Sequence, residues 1–197
     1  MYKEILEKLN SLGAHTENVC EGKSFVENWQ SLRFSHYLYD KEWDVYGIDK
    51  FYANHKELYS SNKETFCDHL LNHYFSDHEE FYGQDFYKDW LFKPFTEGSE
   101  DYEELDGLVE ENEVRETVHG TEMEFICIFY SYGYPDHYFV CLTDPDQNDP
   151  TVYSTDHENY FGEINNEGKL SEFLNKYMTR EEFSEVVTEY LEEKFGK

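Results

Sequence analysis

Acidic side chains limit what this chain can bury, because 44 of its 197 residues are Asp or Glu and only 16 are Lys or Arg. The formal net charge is −28 and the mean hydropathy is −0.85, values that are common in disordered chains. However, Ile, Leu, Val and Phe together number 46, and 18 Tyr and 3 Trp add to them. This apolar set is large enough for one sizeable core, so we expect a folded globular protein.

The negative charge is concentrated in one part of the chain. Between Pro94 and Gly168 there are 20 acidic residues and a single base, Arg115. Such a concentration costs stability through self-repulsion, and it attracts and steers a cationic partner. It excludes a nucleic-acid binder that depends on phosphate attraction. Two interpretations remain open, a docking surface for a basic protein and an acidic exterior that only keeps the protein in solution.

The first half of the chain has mainly helical patterns. Residues 2–12 place apolar side chains on one helix face, and Gly13 follows as a stop signal. Residues 24–95 are dense in aromatic side chains with few β-branched ones, and 48–59 and 65–75 repeat apolar residues at three and four. We therefore expect a helix-rich region here, although residues 43–46 also fit a short strand.

The second half begins with an acidic stretch and continues with strands. Apolar periodicity fades over residues 97–120, which predicts a solvated loop with little to bury. Residues 122–130 and 136–143 are strand-like and flank a turn with Gly133 and Pro135, which predicts a hairpin. Thr151–Thr155 fits a third strand.

Helical patterns return at the end of the chain. Leu170, Phe173, Leu174 and Tyr177 form one apolar stripe. A new helix is predicted after Thr179, because Glu182 follows three residues later in a capping-box pattern.

The cysteines and the chain's apolar runs bear on its location. Cys20, Cys67, Cys127 and Cys141 lack any C-x-x-C spacing, which indicates reduced and mostly buried thiols. The first ten residues are charged and amphipathic, unlike a secretory signal. No apolar run approaches the roughly 20 residues that cross a membrane. We expect a cytoplasmic protein.

Candidate catalytic and metal-binding patterns are weak. His69 and His73 have the spacing of two zinc ligands on a helix, with His78 nearby, but no Glu lies between them as a metalloprotease motif requires. Asp144, Asp146 and Asp149 resemble part of a calcium loop, but the neighbouring prolines favour a rigid turn. No nucleophile or phosphate-binding motif is present. We predict a non-enzymatic protein with no catalytic residues, no metal site and no cofactor, and keep a metal-dependent hydrolase as an alternative.

Residues 122–178 carry a succession of short motifs. Residues 136–142 read DHYFVCL, Asp-Pro pairs follow at 144–145 and 149–150, and TVY, DHE and KLSEFL follow at 151–153, 156–158 and 169–174. Their order and spacing resemble the second half of an SMI1/KNR4 domain of the SUKH superfamily. The chain is interpreted as a single SUKH-like domain over residues 1–197, with a divergent or inserted helix-rich region at about 13–120.

The resemblance implies an α+β fold with a mainly antiparallel curved sheet flanked by helices. For bacterial members it implies an immunity protein, which binds and neutralises a cognate polymorphic toxin, often a nuclease or deaminase, in the cytoplasm. Such toxins tend to be basic, in agreement with the charge distribution. Eukaryotic relatives bind signalling and cell-wall proteins, so a regulatory protein-binding scaffold is a further alternative. These functions are inferred by analogy with proteins that have the same fold.

The candidate partner-binding residues are clustered acids and tyrosines beside glycine-containing turns. A tyrosine in a strand also commonly serves packing alone. The candidates are Glu100, Asp101, Glu103, Glu104, Asp106, Glu110, Glu111, Tyr132, Tyr134 and Tyr160.

Overall fold

The computed structural model describes residues 1–42, 45–76, 81–102, 105 and 107–196. They form an α+β fold in which a curled antiparallel sheet of six strands makes a half-barrel flanked by helices. The predicted fold class is confirmed.

Helices and strands alternate unevenly along the chain. The helices are α1 (Lys3–Ser11), α2 (Phe25–Gln30), α3 (Ile48–Ser61), α4 (Lys63–Tyr74), α5 (Glu111–Val114), α6 (Leu170–Phe173) and α7 (Arg180–Phe195), with a 3₁₀ turn at Leu174–Lys176. The strands are β1 (Ala14–His15), β2 (Arg33–Phe34), β3 (Leu38–Tyr39), β4 (Gln84–Phe92), β5 (Phe125–Ser131), β6 (His137–Cys141), β7 (Thr151–Thr155) and β8 (Asn165–Lys169). Strands β1 and β2 pair separately, and β3 to β8 lie in sequence order in the main sheet.

The inner face of the main sheet packs on helices α1, α2 and α6. Ile126, Val140 and Val152 of the sheet lie in one buried cluster with Leu9 of α1 and Trp29 of α2. The Trp29 indole also donates a hydrogen bond to the Lys88 carbonyl of β4, 2.7 Å away. This contact lies at an irregularity in the β4–β5 register between Tyr87 and Trp90. The helix therefore fixes β4 where its pairing is interrupted.

A second core joins α3, α4 and α7 beside the end of the sheet. Phe51, Leu70 and Phe183 are buried in it together with Tyr39 of β3. Helix α7 begins at the predicted capping box, in which Thr179 accepts from the Glu182 amide at 3.2 Å and the Glu182 carboxylate accepts from the Thr179 amide at 2.8 Å. The start of this helix is therefore as predicted.

Several other sequence predictions are confirmed. Helix α1 is followed by a turn at Gly13, helices α3 and α4 cover the two periodic segments, β5 and β6 form an antiparallel hairpin, and Thr151–Thr155 is a strand. The apolar stripe after Leu170 is shorter as a helix than predicted, since the α-helix ends at Phe173 and continues as a 3₁₀ turn.

The prediction of a mainly helical region over residues 24–95 is wrong for its last part. Gln84–Phe92 is a nine-residue strand between β3 and β5. Aromatic side chains occupy both of its faces, so the sequence lacks the apolar–polar alternation of a half-buried strand. Of the suggested strand at 43–46, residues 43 and 44 lie outside the described residues, and Tyr46 lies in a turn before α3.

The Asp-Pro loop before β7 is the turn that its prolines predict. Asp144 accepts hydrogen bonds from the amides of Asp146 (2.8 Å) and Thr151 (3.0 Å), and Asp149 accepts from the Ser171 amide at 2.9 Å and its hydroxyl at 2.7 Å. These carboxylates satisfy backbone donors, which explains their position.

Cysteine exposure varies. All four cysteines are free; Cys127 and Cys141 are buried as predicted, whereas Cys67 is half-buried and Cys20 is exposed. Among the described helices, none combines the length and the apolar character needed to cross a membrane.

A half-buried lysine, with its side chain 20% exposed, joins the two halves of the chain. The Lys176 ammonium lies 3.2 Å from an Asp40 carboxylate oxygen and 3.7 Å from one of Asp85, and it donates to the Tyr138 hydroxyl at 2.8 Å. Tyr177 donates a hydrogen bond to Asp85. Burial raises the pKa of Asp85 to about 6, although the Lys176 charge opposes this. The group thus ties β3, β4 and β6 to the 3₁₀ turn.

Replacement of the lysine should be costly and pH-dependent. We expect Lys176→Met to lower the free energy of unfolding by about 3 to 5 kcal/mol at about pH 8, because Asp85 then stays buried without its counter-charge. The folded-state pKa of Asp85 rises further in this variant and remains above the unfolded value of about 3.9. The deficit should therefore shrink as the pH falls, since the folded variant binds the extra proton.

Urea unfolding at about pH 8 and about pH 5.5 measures both effects. Lys169→Met is the matched control, because the Lys169 ammonium lies 3.9 Å from Asp144 and its side chain is 42% exposed. It should cost at most about 1 kcal/mol. Equal losses in the two variants, or a Lys176→Met loss that does not change with pH, would contradict the role given to this group.

Candidate partner-binding surface

The outer face of the sheet, opposite α1 and α2, has a covered half and an open half. Side chains on paired positions of neighbouring strands share a face. The register pairs Trp90 with Cys127 and Tyr130 with His137, and all four side chains belong to the outer face. This face therefore runs across β4, β5 and β6.

Residues 97–120 are here called the acidic segment, and their described part covers one half of the outer face. Leu105, Val114 and Val118 are buried with Phe125 and Phe139 of the sheet. The expectation that this segment has little to bury is wrong, because these three apolar side chains anchor it. In contrast to these buried apolar anchors, acids of the segment are exposed, namely Glu97, Glu100, Glu110, Glu113 and Glu116.

Arg115 makes its hydrogen bonds within this part of the chain. Its guanidinium donates to the Glu111 carboxylate at 2.9 Å and to the carbonyls of Gly120 and Thr121 at 3.2 and 3.1 Å. The base therefore holds the end of the segment in place. The exposed acids listed above are left to face solvent.

Residues 94–168 as a whole do not form one surface. Strands β5, β6 and β7 lie inside the sheet, and Asp136, Asp144 and Asp156 are buried. A docking role for the acids of this stretch is therefore confined to those that reach the surface.

The open half of the outer face carries exposed aromatic rings. Trp90 is 49% exposed, Tyr132 51% and Tyr134 70%. The Tyr130 ring centroid lies 5.7 Å from that of Tyr132 and 5.1 Å from that of His137. We call this surface the aromatic patch and define it by Trp90, Tyr130, Tyr132, Tyr134 and His137.

The turn between β5 and β6 holds two rings of the patch. The Ser131 hydroxyl donates to the Pro135 carbonyl at 3.1 Å and accepts from the Gly133 amide at 3.0 Å. These bonds close the turn on which Tyr132 and Tyr134 stand. The predicted tyrosines are therefore presented by a hydrogen-bonded hairpin turn.

A buried carboxylate links two histidines at the edge of the patch. Asp136 binds His137 Nδ1 through one oxygen and His157 Nδ1 through the other, both at 2.6 Å. The hydrogen bond with Asp136, and then its charge, raise the pKa of His157 above its ordinary value. Asp136 is buried whereas the His157 side chain is 67% exposed, so a neighbouring molecule can reach this imidazole.

Asp136, Asp156 and His157 are also the one group of potential metal ligands found among the described residues, with their ligand atoms within 4.8 Å of one another. Two carboxylates and an imidazole suit a divalent transition metal. However, Asp156 accepts from the Glu158 amide at 2.7 Å and Asp136 binds both histidines. These hydrogen bonds account for the arrangement without an ion.

A cleft of about 540 Å³ lies where the acidic segment stops covering the sheet. Trp90, His137 and Tyr160 line one side, and Leu108 and Asp101 line the other. Its volume is within the range of about 300 to 1,000 Å³ that ligand pockets have.

The predicted acidic contacts fall in different environments. Glu100 and Glu110 are exposed, whereas Asp101 is half-buried and accepts from the Lys93 amide at 2.8 Å. Glu111 is half-buried and paired with Arg115. The remaining three, Glu103, Glu104 and Asp106, lie outside the described residues.

The predicted tyrosines are close to one site. Tyr132 and Tyr134 belong to the aromatic patch, and Tyr160 lines the cleft. The Tyr160 ring is half-buried, with its centroid 5.2 Å from that of His137 and 5.4 Å from that of Phe92. Tyr160 therefore packs on the sheet as well as facing the cleft.

The histidines of the hydrolase alternative have a different environment. His69 is exposed, and His73 stacks on Phe51 with ring centroids 5.0 Å apart. Neither belongs to the metal-capable group of the described residues. His78 lies outside the described residues.

Trp90 and the Asp136–His137–His157 group were not among the predicted contacts. Trp90 was missed because β4 was assigned to a helical region. The histidines had only a weak signal, since the pair Asp-His occurs at 136–137 and 156–157 but also at 68–69 and 77–78. The start of β6 and the end of β7 meet in an antiparallel pair, so the two motifs come together.

Comparisons with family models, with curated proteins and with solved structures found no match for this chain. The resemblance to SMI1/KNR4 domains therefore remains a prediction from residues 122–178.

The contact of Asp136 with His157 predicts a measurable titration change. Asp136→Asn should lower the pKa of His157 toward its ordinary value of about 6.5, because the amide removes the negative charge. Since the folded-state pKa is raised, the stability from this contact is present at acidic pH and is lost as the pH rises through that pKa.

NMR titration of the imidazole Cε1 proton measures the shift. Asp146→Asn serves as the control, because Asp146 caps the amides of Asn148 and Asp149 in a different loop. An unchanged His157 titration in Asp136→Asn would show that the pair does not persist in solution.

Proposed function

We propose that this protein is a binding protein that docks a basic protein partner on the outer face of its sheet. In the form that the SMI1/KNR4 resemblance implies, it is a cytoplasmic immunity protein, and the partner is a cognate toxin of the nuclease or deaminase class. The observation that carries the proposal is the exposed aromatic patch beside the acidic segment.

The aromatic patch has the composition of an interface centre. Binding energy at protein interfaces concentrates in Trp, Tyr and Arg side chains that become fully desolvated. Trp90, Tyr132 and Tyr134 expose about half or more of their surface in the free protein. Large exposed aromatic side chains that lie close together are commonly interaction sites.

The acidic segment supplies the charge of the interface rim. Its apolar anchors hold it on the outer face, and its Asp101 lines the same cleft as Trp90 and His137 of the patch. A basic partner would be steered toward this surface, and contacts with the rings would then slow its dissociation. A regulatory scaffold would use the same surface, and only the partner's identity separates the two functions.

The test uses the product of a neighbouring gene that encodes a toxin with a variable C-terminal domain. We expect a complex in which Trp90→Ala or Tyr132→Ala weakens binding by about 10-fold or more, the effect of losing an interface hot spot. Titration calorimetry gives the affinities. Tyr46→Ala is the matched control, because Tyr46 is 61% exposed and lies before α3, outside the patch.

Salt tests the electrostatic part separately. The association rate should fall by about 10-fold or more between about 50 and 500 mM salt, since exposed charges are screened beyond a Debye length. A rate that does not change with salt, or an equal effect of Tyr46→Ala and Trp90→Ala, would count against this surface.

A further inference from the structure

The cleft beside the aromatic patch has walls of different chemistry. On the sheet side, the His137 ring lies between two others, with centroid distances of 6.1 Å to Trp90 and 5.2 Å to Tyr160. On the opposite side, Leu108 is 77% exposed at the lip of the cleft. An occupant therefore meets flat aromatic surfaces and an apolar edge.

Carboxylates set the charge of the cleft. Asp101 and Glu158 line it, and the buried Asp136 and Asp156 lie directly behind the histidines. The four negative charges of these carboxylates outnumber the two positive charges that the imidazoles carry when both are protonated. The cleft is therefore net negative and favours a cation.

The same face already holds a cation over one ring. The Lys88 ammonium lies 5.7 Å from the Tyr130 ring centroid. A cation within about 6 Å of an aromatic ring is attracted by the negative face of the ring. The outer face thus provides its own example of this contact.

We propose that the cleft receives an arginine side chain of the basic partner, an inference that rests on the proposed function. A planar guanidinium can stack on Trp90 and Tyr160 while its edge donates to Glu158 or Asp101. A lysine ammonium offers neither the planar stacking surface nor the forked donors. An anionic or neutral polar occupant would leave the carboxylates of the cleft without a counter-charge.

The probes are three capped tripeptides, Gly-Arg-Gly, Gly-Lys-Gly and Gly-citrulline-Gly. Citrulline has nearly the same shape as arginine but no charge. We expect a saturable shift of the Trp90 indole N–H signal in NMR spectra, with the arginine peptide binding at least about 10-fold more tightly than the citrulline peptide and several-fold more tightly than the lysine peptide. Trp90→Phe assigns the signal.

Two isosteric variants locate the contact. Glu158→Gln should weaken binding of the arginine peptide by about two- to five-fold, as expected for an exposed ion pair. Glu163→Gln removes the same charge from the same loop outside the cleft lining, and it should leave the affinity unchanged.

Equal binding of arginine and citrulline peptides, or equal effects of the two glutamate variants, would overturn the arginine assignment. The absence of a saturable response up to about 100 mM peptide would also overturn it, because the binding free energy would then be weaker than about 1.4 kcal/mol. If Trp90→Ala and Tyr132→Ala still weaken the partner complex in that case, the proposed function stands and only the arginine site is lost. If the arginine peptide does not bind and these two variants leave the partner complex unchanged, both proposals fail.

Discussion

The structure depends on a half-buried lysine of the 3₁₀ turn, which is held between two carboxylates. Lys176 lies within 4 Å of both Asp40 and Asp85, and it contacts the Tyr138 hydroxyl. Asp85 also accepts a hydrogen bond from Tyr177. Breaking such a group leaves an uncompensated buried charge, which is among the costliest single changes in a protein. Because Asp40 and Asp85 come from the helix-rich first half and Lys176 comes from the end of the second, this ion-pair group holds the two halves of the chain together.

Anchoring of the inner face determines which surface of the sheet is left open. Helices α1, α2 and α6 cover the inner face, and α2 also grips β4 at its register irregularity through Trp29. The outer face receives only the acidic segment, whose three apolar anchors cover part of it. The aromatic patch lies on the part of the outer face that the acidic segment leaves open. Its rings are held by strand pairing and by the β5–β6 turn, so the proposed binding would require little further ordering.

Local sequence patterns predicted the elements that follow a single periodicity. Helix α7 begins at a capping box, and β5 and β6 are apolar runs around a Gly-Pro turn, so local residues are sufficient to predict them. Strand β4 has aromatic side chains on both faces, and β8 reads NNEGK, with no apolar residue to indicate a strand. Both are specified by the neighbouring strands. The same holds for the candidate site. The turn sequence predicts Tyr132 and Tyr134 as contacts, whereas Trp90 belongs to the site only because β4 pairs with β5.

The charge of the chain connects stability with binding. Crowded acids repel one another, and this repulsion would detach a segment that had nothing to bury. Here Leu105, Val114 and Val118 supply the burial, and Arg115 closes the end of the segment. Negative charge is thereby kept on the outer face of the sheet at a cost in stability. A cationic partner of the kind proposed would relieve that repulsion, so part of the free energy withheld from folding would become available to the complex.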